Sequence, residues 1–310
     1  MRNPRKLYEI DPHVAAKVIA SGGVPMLVHA VRGFVDSGSV AAVVSDHLLS
    51  STESERFATF EIDELLDYRS RRPAMTFASN TWIDMDAPAL AVDYVADADG
   101  THFLLLHGLE PDTQWERFAA AVRQIVDDFG VSLVVGVHGI PMAVPHTREL
   151  SATVHGTRPE LVADFPSWFG TVQVPGSAAS LLELRLGEAG HDAVGVAVHV
   201  PHYLSASTYP AAAVAGLDYL ERLTGLSLDA AGLEPAVLQA AEEVERQLSE
   251  SDDALEVVRA LENQYDAFRR GAEGGAQGML AEGAPIPTAE ELGDEFERFL
   301  AQQGKDQGQP

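Results

Sequence analysis

The chain has 310 residues, of which 46% are hydrophobic and 22% charged, a composition typical of a globular protein with a full core. Its 47 acidic residues outnumber 21 basic ones, and the net charge of −26 argues against binding to nucleic acid or to an anionic membrane surface. The absence of cysteine excludes disulfides, thiolate nucleophiles and cysteine-ligated metal sites.

The N-terminal segment carries basic residues but no secretion signal, because Asp11, Pro12 and His13 interrupt it before any apolar stretch. No uninterrupted apolar run reaches about 18 residues, the length that a membrane-spanning helix requires. We therefore expect a cytoplasmic protein that binds neither membranes nor nucleic acid.

Four short apolar segments, bounded by glycine or polar residues, are predicted to be buried strands. Segments with apolar residues at helical spacing lie between them and after the last one. Strands that alternate with such helices are typical of a mostly parallel sheet covered on both faces, so the sequence predicts an α/β fold. The strands comprise residues 24–30, 101–107, 131–138 and 193–200, and the helices comprise residues 39–49, 113–129, 177–186 and 208–223.

Between the first two strands the pattern changes to three strand-like stretches within residues 74–96, and residues 97–100 then predict a tight turn. We interpret residues 74–100 as an antiparallel β insertion. Its apolar side chains are too numerous to lie exposed on a monomer, so they predict a closed homo-oligomer. They are Met75, Phe77, Trp82, Ile83, Met85, Leu90 and Val92.

The C-terminal part differs in composition, since residues 234–310 contain 18 acidic and 6 basic residues. Two amphipathic helices are predicted at 234–249 and 252–270, and because both are too short to be stable alone, they must pack against the rest of the protein. The chain thus divides into an α/β core at 1–233, a helical region at 234–270, a flexible linker at 271–287, a terminal helix at 288–303 and a disordered tail at 304–310.

Each of the four predicted strands ends on or beside a histidine, namely His29, His107, His138 or His199. Parallel strands end at the same edge of a sheet, where open α/β sheets bind ligands. We therefore expect a ligand cleft at this edge; the alternative for each histidine is a structural role, in which it holds a loop carbonyl. The candidate ligand-binding residues are His107, Glu110, His138, His146, Arg148, Ser177, His199 and His202.

Two of these candidates form a motif that has two interpretations. His107 and Glu110 form a His-x-x-Glu pattern that can supply two ligands to zinc, with His199 as the third. In the alternative reading, Glu110 begins a helix, whose N-terminus attracts acidic residues. The sequence contains no P-loop, no dinucleotide-binding fingerprint and no nucleophile elbow, so no cofactor is predicted.

Two prolines in the segment 141–148 hold its backbone extended and would fix His146 and Arg148 beside a strand end. His146 can exchange a proton near neutral pH, and Arg148 presents a planar fork for carboxylate or phosphate. Alternatively, Arg148 forms an ion pair with one of the many acidic residues of the chain. Ser177 precedes a predicted helix and either forms part of an anion site at the helix N-terminus or is a plain N-cap.

Four motifs in these segments occur together in one chain. They are Gly108–Asp112 with Trp115, Pro145–Arg148, Pro175–Ser177, and Val200–Tyr203 followed by Tyr209-Pro210. In this combination, residues 20–270 resemble the proteasome assembly chaperone 2 family, and more closely its actinobacterial branch of uncharacterised proteins. The resemblance implies a three-layer α/β/α sandwich similar to that of purine nucleoside phosphorylases and related hydrolases. It also implies a β-hairpin insertion used in trimer formation and a C-terminal helical lid over the strand-end cleft.

Eukaryotic and archaeal members of this family dock on proteasome rings through a C-terminal hydrophobic-Tyr-X tail. This chain ends Lys305-Asp-Gln-Gly-Gln-Pro310 and lacks that tail, which argues against docking on a proteasome. The resemblance transfers no catalytic residue.

Two functions are consistent with the sequence. The first is a non-enzymatic, oligomeric binding or assembly-chaperone-like protein, a trimer by resemblance, whose partner is an unidentified small molecule or protein. The second is a small-molecule hydrolase or transferase that uses the cleft. A complete acid–base or nucleophile set in the cleft would favour the enzyme, whereas scattered histidines with structural partners would favour the binding protein.

Overall fold

The computed structural model describes residues 2–167 and 170–273. The chain divides into two units, Met1–Glu262 and Asn263–Pro310. Residues 271–273, predicted as the start of a linker, are the end of the last helix. The rest of that linker, the predicted terminal helix and the predicted tail lie outside the described residues.

The first unit is built on an eight-stranded sheet in the order β1-β3-β6-β7-β2-β8-β10-β9. The four central strands, β7, β2, β8 and β10, are parallel, whereas β6, β3 and β1 on one side and β9 on the other pair antiparallel. The strands are β1 Tyr8–Ile10, β2 Met26–Arg32, β3 Ser54–Phe60, β4 Met75–Ala78, β5 Thr81–Met85, β6 Leu90–Ala96, β7 His102–Leu109, β8 Leu133–Met142, β9 Ala152–Gly156 and β10 Asp192–Pro201.

Helices cover both faces of this sheet, so the expected three-layer α/β/α sandwich is confirmed. We call the two faces the α4 face, on which α1, α4 and α5 pack, and the α2 face, on which α2 and α6 pack. No helix within the described residues is long and apolar enough to cross a membrane. The helices are α1 Pro12–Ala20, α2 Val40–Ser51, α3 Ile62–Leu65, α4 Trp115–Phe129, α5 Ala178–Glu188, α6 Pro210–Thr224, α7 Glu234–Ser249 and α8 Asp252–Glu273.

Each face of the sheet has its own hydrophobic core, because successive side chains of a strand point to opposite faces. On β2, Leu27 lies in the core under α4, and Val28 lies in the core under α2. Gly130 ends α4 in the left-handed conformation (φ 72°), and its N–H donates to the carbonyl of Val126.

The β insertion is smaller than the sequence suggested. Strands β4 and β5 form a separate two-stranded hairpin, but β6, which we expected within the insertion, is a strand of the main sheet between β3 and β7. Its position follows from the turn that joins it to β7, in which the carboxylate of Asp97 accepts hydrogen bonds from the backbone N–H groups of Asp99 (3.0 Å) and Thr101 (2.7 Å).

Candidate functional site

The strand histidines do not lie on one face of the sheet. Because side chains alternate, His107 shares the α2 face with Leu105, whereas His199 lies opposite its neighbour Val198, which belongs to the α2-face core. Strands β8 and β10 also continue past their histidines, to Met142 and Pro201. The single cleft expected from the strand ends therefore does not include His107. Of the four predicted strand histidines, His29, His138 and His199 lie on the α4 face.

On the α2 face, His107 is buried beside the buried carboxylate of Asp93. Its Nε2 hydrogen bonds to Oδ2 of Asp93 on β6 (2.7 Å), and Nε of Arg56 on β3 donates to Oδ1 of the same carboxylate (2.5 Å). Burial alone would raise the pKa of Asp93, but the hydrogen bonds from His107 and Arg56 outweigh it and hold this pKa below its usual value. The carboxylate of Asp93 thus orients the ring of His107, and its two hydrogen bonds link β6 to β7 and to β3.

Glu110 and Ser177 together complete the N-terminus of α5. The buried carboxylate of Glu110 accepts hydrogen bonds from the backbone N–H groups of Ala178 (2.6 Å) and Phe34 (2.9 Å). Ser177 is the N-cap, and its Oγ accepts a hydrogen bond from the N–H of Ser180 (3.0 Å). The anion at this helix N-terminus is therefore a carboxylate of the chain itself, and Ser177 has the capping role that we gave as the alternative.

His199 is buried and has structural partners. Its Nε2 lies 2.8 Å from Oγ1 of Thr153, and its Nδ1 lies 3.1 Å from Oγ of Ser151. Burial lowers the pKa of His199 to about 4, so the imidazole is neutral at pH 7. Both hydroxyl groups come from the edge strand β9 or the residue before it, so His199 links that edge to the sheet.

Two glycines in adjacent strands make room for imidazole rings on the α4 face. A Cβ at Gly136 on β8 would lie 2.2 Å from Cε1 of His29, and a Cβ at Gly195 on β10 would lie 2.1 Å from Cε1 of His155. Gly136 and Gly195 pair with each other, so the two rings lie side by side across the sheet. His138 is two residues further along β8. Such close approach is a recurrent reason for glycine within a strand.

The rings on the α4 face differ in charge. Burial lowers the pKa values of His29 and His138 to about 4, and the neighbouring His155 adds to both shifts. Burial would also lower the pKa of His155, but its hydrogen bond to Glu183 on α5 (2.9 Å) outweighs burial and raises it. Neither His29 nor His138 hydrogen bonds to another described residue. At pH 7 His29 and His138 are therefore neutral imidazoles, close to the hydrogen-bonded pair of His155 and Glu183.

The three metal candidates of the sequence do not come together. His107 and His199 lie on opposite faces of the sheet, and Glu110 accepts two backbone hydrogen bonds. Among the described residues, no three or more His, Asp or Glu side chains are spaced to hold a metal ion.

His146 is positioned by Tyr203 beyond the end of the sheet. The hydroxyl of Tyr203 accepts a hydrogen bond from the backbone N–H of His146 (2.9 Å) and lies 2.6 Å from Nδ1 of the same residue. The Tyr203 hydroxyl thus holds both the backbone and the imidazole ring of His146 in place. Burial lowers the pKa of His146, and also that of His202, whose buried Nδ1 has no partner among the described residues.

Arg148 and Thr147 hold helix α8 against this segment. Nη1 of Arg148 donates to Oε1 of Glu262 (3.1 Å), and Oγ1 of Thr147 donates to the same oxygen (2.5 Å). Beside these contacts lies a cavity of about 410 Å³ between α7, α8 and the loop before β9. We call it the α7–α8 cavity, and its lining residues are His146, Thr147, Glu245, Leu248, Ser249, Leu255, Val258, Arg259 and Glu262.

The β4–β5 hairpin presents an apolar face to solvent. In its register Met75 pairs with Met85 and Phe77 with Trp82, so these four side chains share one face. They are between 42% and 60% exposed, and the rings of Phe77 and Trp82 lie 4.9 Å apart. The register shifts beside Phe77, which leaves Ile83 unpaired as a bulge, and it too is exposed.

Sequence reasoning missed several partners of the predicted residues. His155 and Glu183 were not candidates, although the glycines at 136 and 195 within apolar strands signal a close approach. Asp93 was also missed, although a lone acid in an apolar strand indicates a buried partner for its charge.

The fold and the site define a mixed α/β protein in which most of the candidate polar residues have structural partners. A family model described as the PAC2 family matches residues 30–251. The chain belongs to the PAC2 family, which confirms the resemblance stated from the motifs.

Two solved structures of similar chains cover most of this protein. Rv2714 of Mycobacterium tuberculosis, a protein of unknown function, is 43% identical over 87% of this chain and 92% of that chain, with a TM-score of 0.82. A protein of unknown function from Corynebacterium glutamicum is 38% identical over 84% of this chain and 97% of that chain, with a TM-score of 0.78.

A more distant structure shares the fold. Rv2125 of M. tuberculosis, described as a proteasome-assembly chaperone homologue, is 22% identical over 75% of this chain and 99% of that chain, with a TM-score of 0.69. Comparison with the curated proteins finds no match.

Proposed function

We propose that this protein is a non-enzymatic, self-associating binding protein of the assembly-chaperone type. The observation that carries the proposal is the exposed apolar face of the β4–β5 hairpin. Large side chains on a strand pair that protrudes from the main sheet cost free energy in water, and contact with a second copy removes that cost. The description of Rv2125 as a proteasome-assembly chaperone homologue supports the same class of function.

The arrangement of the histidines supports a binding function over catalysis. A hydrolase needs a nucleophile, a base and a group that orients the base, all facing one space. Here His107 has an orienting carboxylate but lies on the α2 face, whereas His199 on the α4 face is held by two hydroxyl groups. Glu110 is committed to the N-terminus of α5.

The oligomer that we propose is a trimer closed by the hairpin. Because a copy of this chain carries a charge of −26, copies repel each other, and contact must come from apolar surface with few charges. The apolar hairpin face meets this requirement. If it docks on a different surface of the next copy, the contact is heterologous, and rotation by a third of a turn closes it.

Light scattering coupled to size exclusion tests this proposal. The expected mass at micromolar concentration is about 100 kDa, three times 33.2 kDa. The double variant F77S/W82S should shift the protein to monomer, because aromatic anchors dominate interface energies. The matched control is Phe34→Ser, since Phe34 is 78% exposed and lies outside the hairpin. A 33 kDa wild type, or an equal shift by the control, would contradict the proposal.

A further inference from the structure

The α7–α8 cavity is separate from the hairpin and has an apolar wall. Leu248 at the end of α7 faces Leu255 and Val258 on α8, and the last two lie three residues apart on one side of the helix. Val258 is buried, and Leu255 is half-buried. The volume of about 410 Å³ is within the range of sites that enclose a small group, such as one large side chain.

The two helices that form the α7–α8 cavity are acidic overall, although the lining of the cavity includes one arginine, Arg259. Residues 234–262 contain nine acidic residues and only two basic ones, which are Arg246 and Arg259. Arg246 is paired with Glu243 and Glu250 of its own helix. Residues 234–262 therefore carry a net charge of −7, in a chain that is negative overall. Such a field attracts cationic groups and repels anionic ones.

Two side chains of the cavity are available to a bound chain. Glu245 on α7 has no hydrogen-bond or ion-pair partner among the described residues, whereas Glu262 is paired with Arg148 and accepts a hydrogen bond from Thr147. Nε2 of His146 has no hydrogen-bond partner among the described residues, because Tyr203 binds the other ring nitrogen. A backbone N–H or C=O group of a bound chain can pair with this nitrogen, according to the tautomer of the ring.

We infer that the α7–α8 cavity binds an apolar side chain of a protein partner, in a segment where lysine or arginine flanks that side chain. The apolar group occupies the space between Leu248, Leu255 and Val258, and the basic groups lie along the acidic helices. The occupant is a polypeptide because the acidic surface continues along both helices, well past the cavity itself. This inference rests on the proposed function in one respect, namely that the protein binds other proteins.

Fluorescence anisotropy with the full chain tests the inference. The probe is a fluorescein-labelled nonapeptide, GKKLFLKKG, compared with GEELFLEEG and with GKKGSGKKG. We expect saturable binding of the first probe, with one peptide per chain. The affinity for the other two should be at least about tenfold lower, because GEELFLEEG lacks the basic residues and GKKGSGKKG lacks the apolar side chains.

Matched variants separate the cavity from the general acidity of the protein. Glu245→Lys should lower the affinity for GKKLFLKKG by about tenfold, whereas Glu242→Lys, the same charge change on an exposed position of α7 outside the cavity, should change it less than about twofold. Leu248→Ser should likewise lower the affinity, and Leu238→Ser, on an exposed leucine of the same helix, should not.

Equal losses in both members of either pair would overturn the inference, as would equal binding of the three peptides. The mass of each variant by light scattering keeps this result apart from the self-association proposal. A trimer that does not bind GKKLFLKKG contradicts only the inference, and a monomer that binds it contradicts only the trimer.

Discussion

Oε1 of Glu110 lies 2.6 Å from the backbone nitrogen of Ala178, the first residue of α5, so a carboxylate from the end of β7 closes a helix 68 residues further along the chain. Its other oxygen binds the N–H of Phe34 in the loop after β2. One buried side chain thus joins two loops and one helix at the carboxyl edge of the sheet. It also compensates the positive end of the helix dipole.

We expect Glu110→Ala to lower the free energy of unfolding by about 2 to 4 kcal/mol, because two buried N–H groups lose their acceptor. Urea denaturation measures this change. Glu116→Ala is the control, since Glu116 pairs with Arg185 on the surface and an exposed ion pair contributes little to stability. An equal loss of stability in the two variants would show that Glu110 does not stabilise the contact between the loop at Phe34 and the start of α5.

The close contact between Gly136 and the ring of His29 leads to a second prediction. Gly136→Ala places a methyl group where the buried ring of His29 lies, and we expect a loss of about 1 to 3 kcal/mol from overpacking. The double variant G136A/H29A removes the clash, so its loss should be smaller than the sum of the two single losses by at least about 1 kcal/mol. Urea denaturation of the wild type and the three variants completes this double-mutant cycle. Additive losses would contradict the close contact.

The layered fold was predictable because its signals are local. The four central strands are short apolar runs bounded by glycine or polar residues, and helices with apolar residues at a period of 3.6 alternate with them. The phase of each strand was not predictable, because one residue decides which face a side chain occupies. His107 and His199 were therefore assigned to one cleft, although they lie on opposite faces.

The candidate site was harder to predict because its contacts join distant parts of the chain. Glu110 meets partners 68 and 76 residues away, and no pattern around His-x-x-Glu encodes them. Strand β6 was assigned to the insertion because its local sequence does not show that it pairs with β3 and β7 in the main sheet and not with β5. One signal was available in the sequence, namely the glycines at positions 136 and 195 within apolar strands. Such glycines indicate that a large group packs closely against the strand, and here these groups are the rings of His29 and His155.

The neutral histidines imply a pH dependence of stability. The pKa values of His29 and His138 are about 4 in the folded state and about 6.5 in the unfolded state, so the unfolded chain takes up protons first as the pH falls. Stability is therefore fully present above pH 6.5 and is lost as the pH falls towards 4. At pH 5 each histidine accounts for a loss of about 2 kcal/mol.

The variant His29→Gln isolates this effect, because glutamine does not titrate. We expect its free energy of unfolding to fall less than that of the wild type between pH 7.5 and pH 5, by about 2 kcal/mol. Urea denaturation at both pH values gives the difference. An unchanged pH dependence would mean that His29 is protonated in the folded protein at pH 5.

The last expectation concerns the contacts that hold the C-terminal helices. From the sequence and its family resemblance we expected residues 234–270 to cover the strand-end cleft, and this remains a prediction. In the structure, Thr147 and Arg148 bind Glu262 of α8, while Val258 and Leu261 of the same helix are buried. Polar contacts of this kind, beside a modest apolar contact area, are typical of elements that open locally.

Hydrogen exchange can measure how much these contacts restrain the helices. In T147A/R148A we expect the amides of residues 252–262 to exchange about tenfold faster, which corresponds to about 1.4 kcal/mol of lost local stability, within the range for two hydrogen bonds to one carboxylate. Arg259→Ala is the control, because Arg259 lines the same cavity and has no partner among the described residues. The central strands should keep their protection in both variants, since β2 and β8 pair at the centre of the sheet. If residues 252–262 exchange as fast in the wild type as in T147A/R148A, the contacts with Glu262 do not hold α8. The helices would then not form a cover that is closed in the native state.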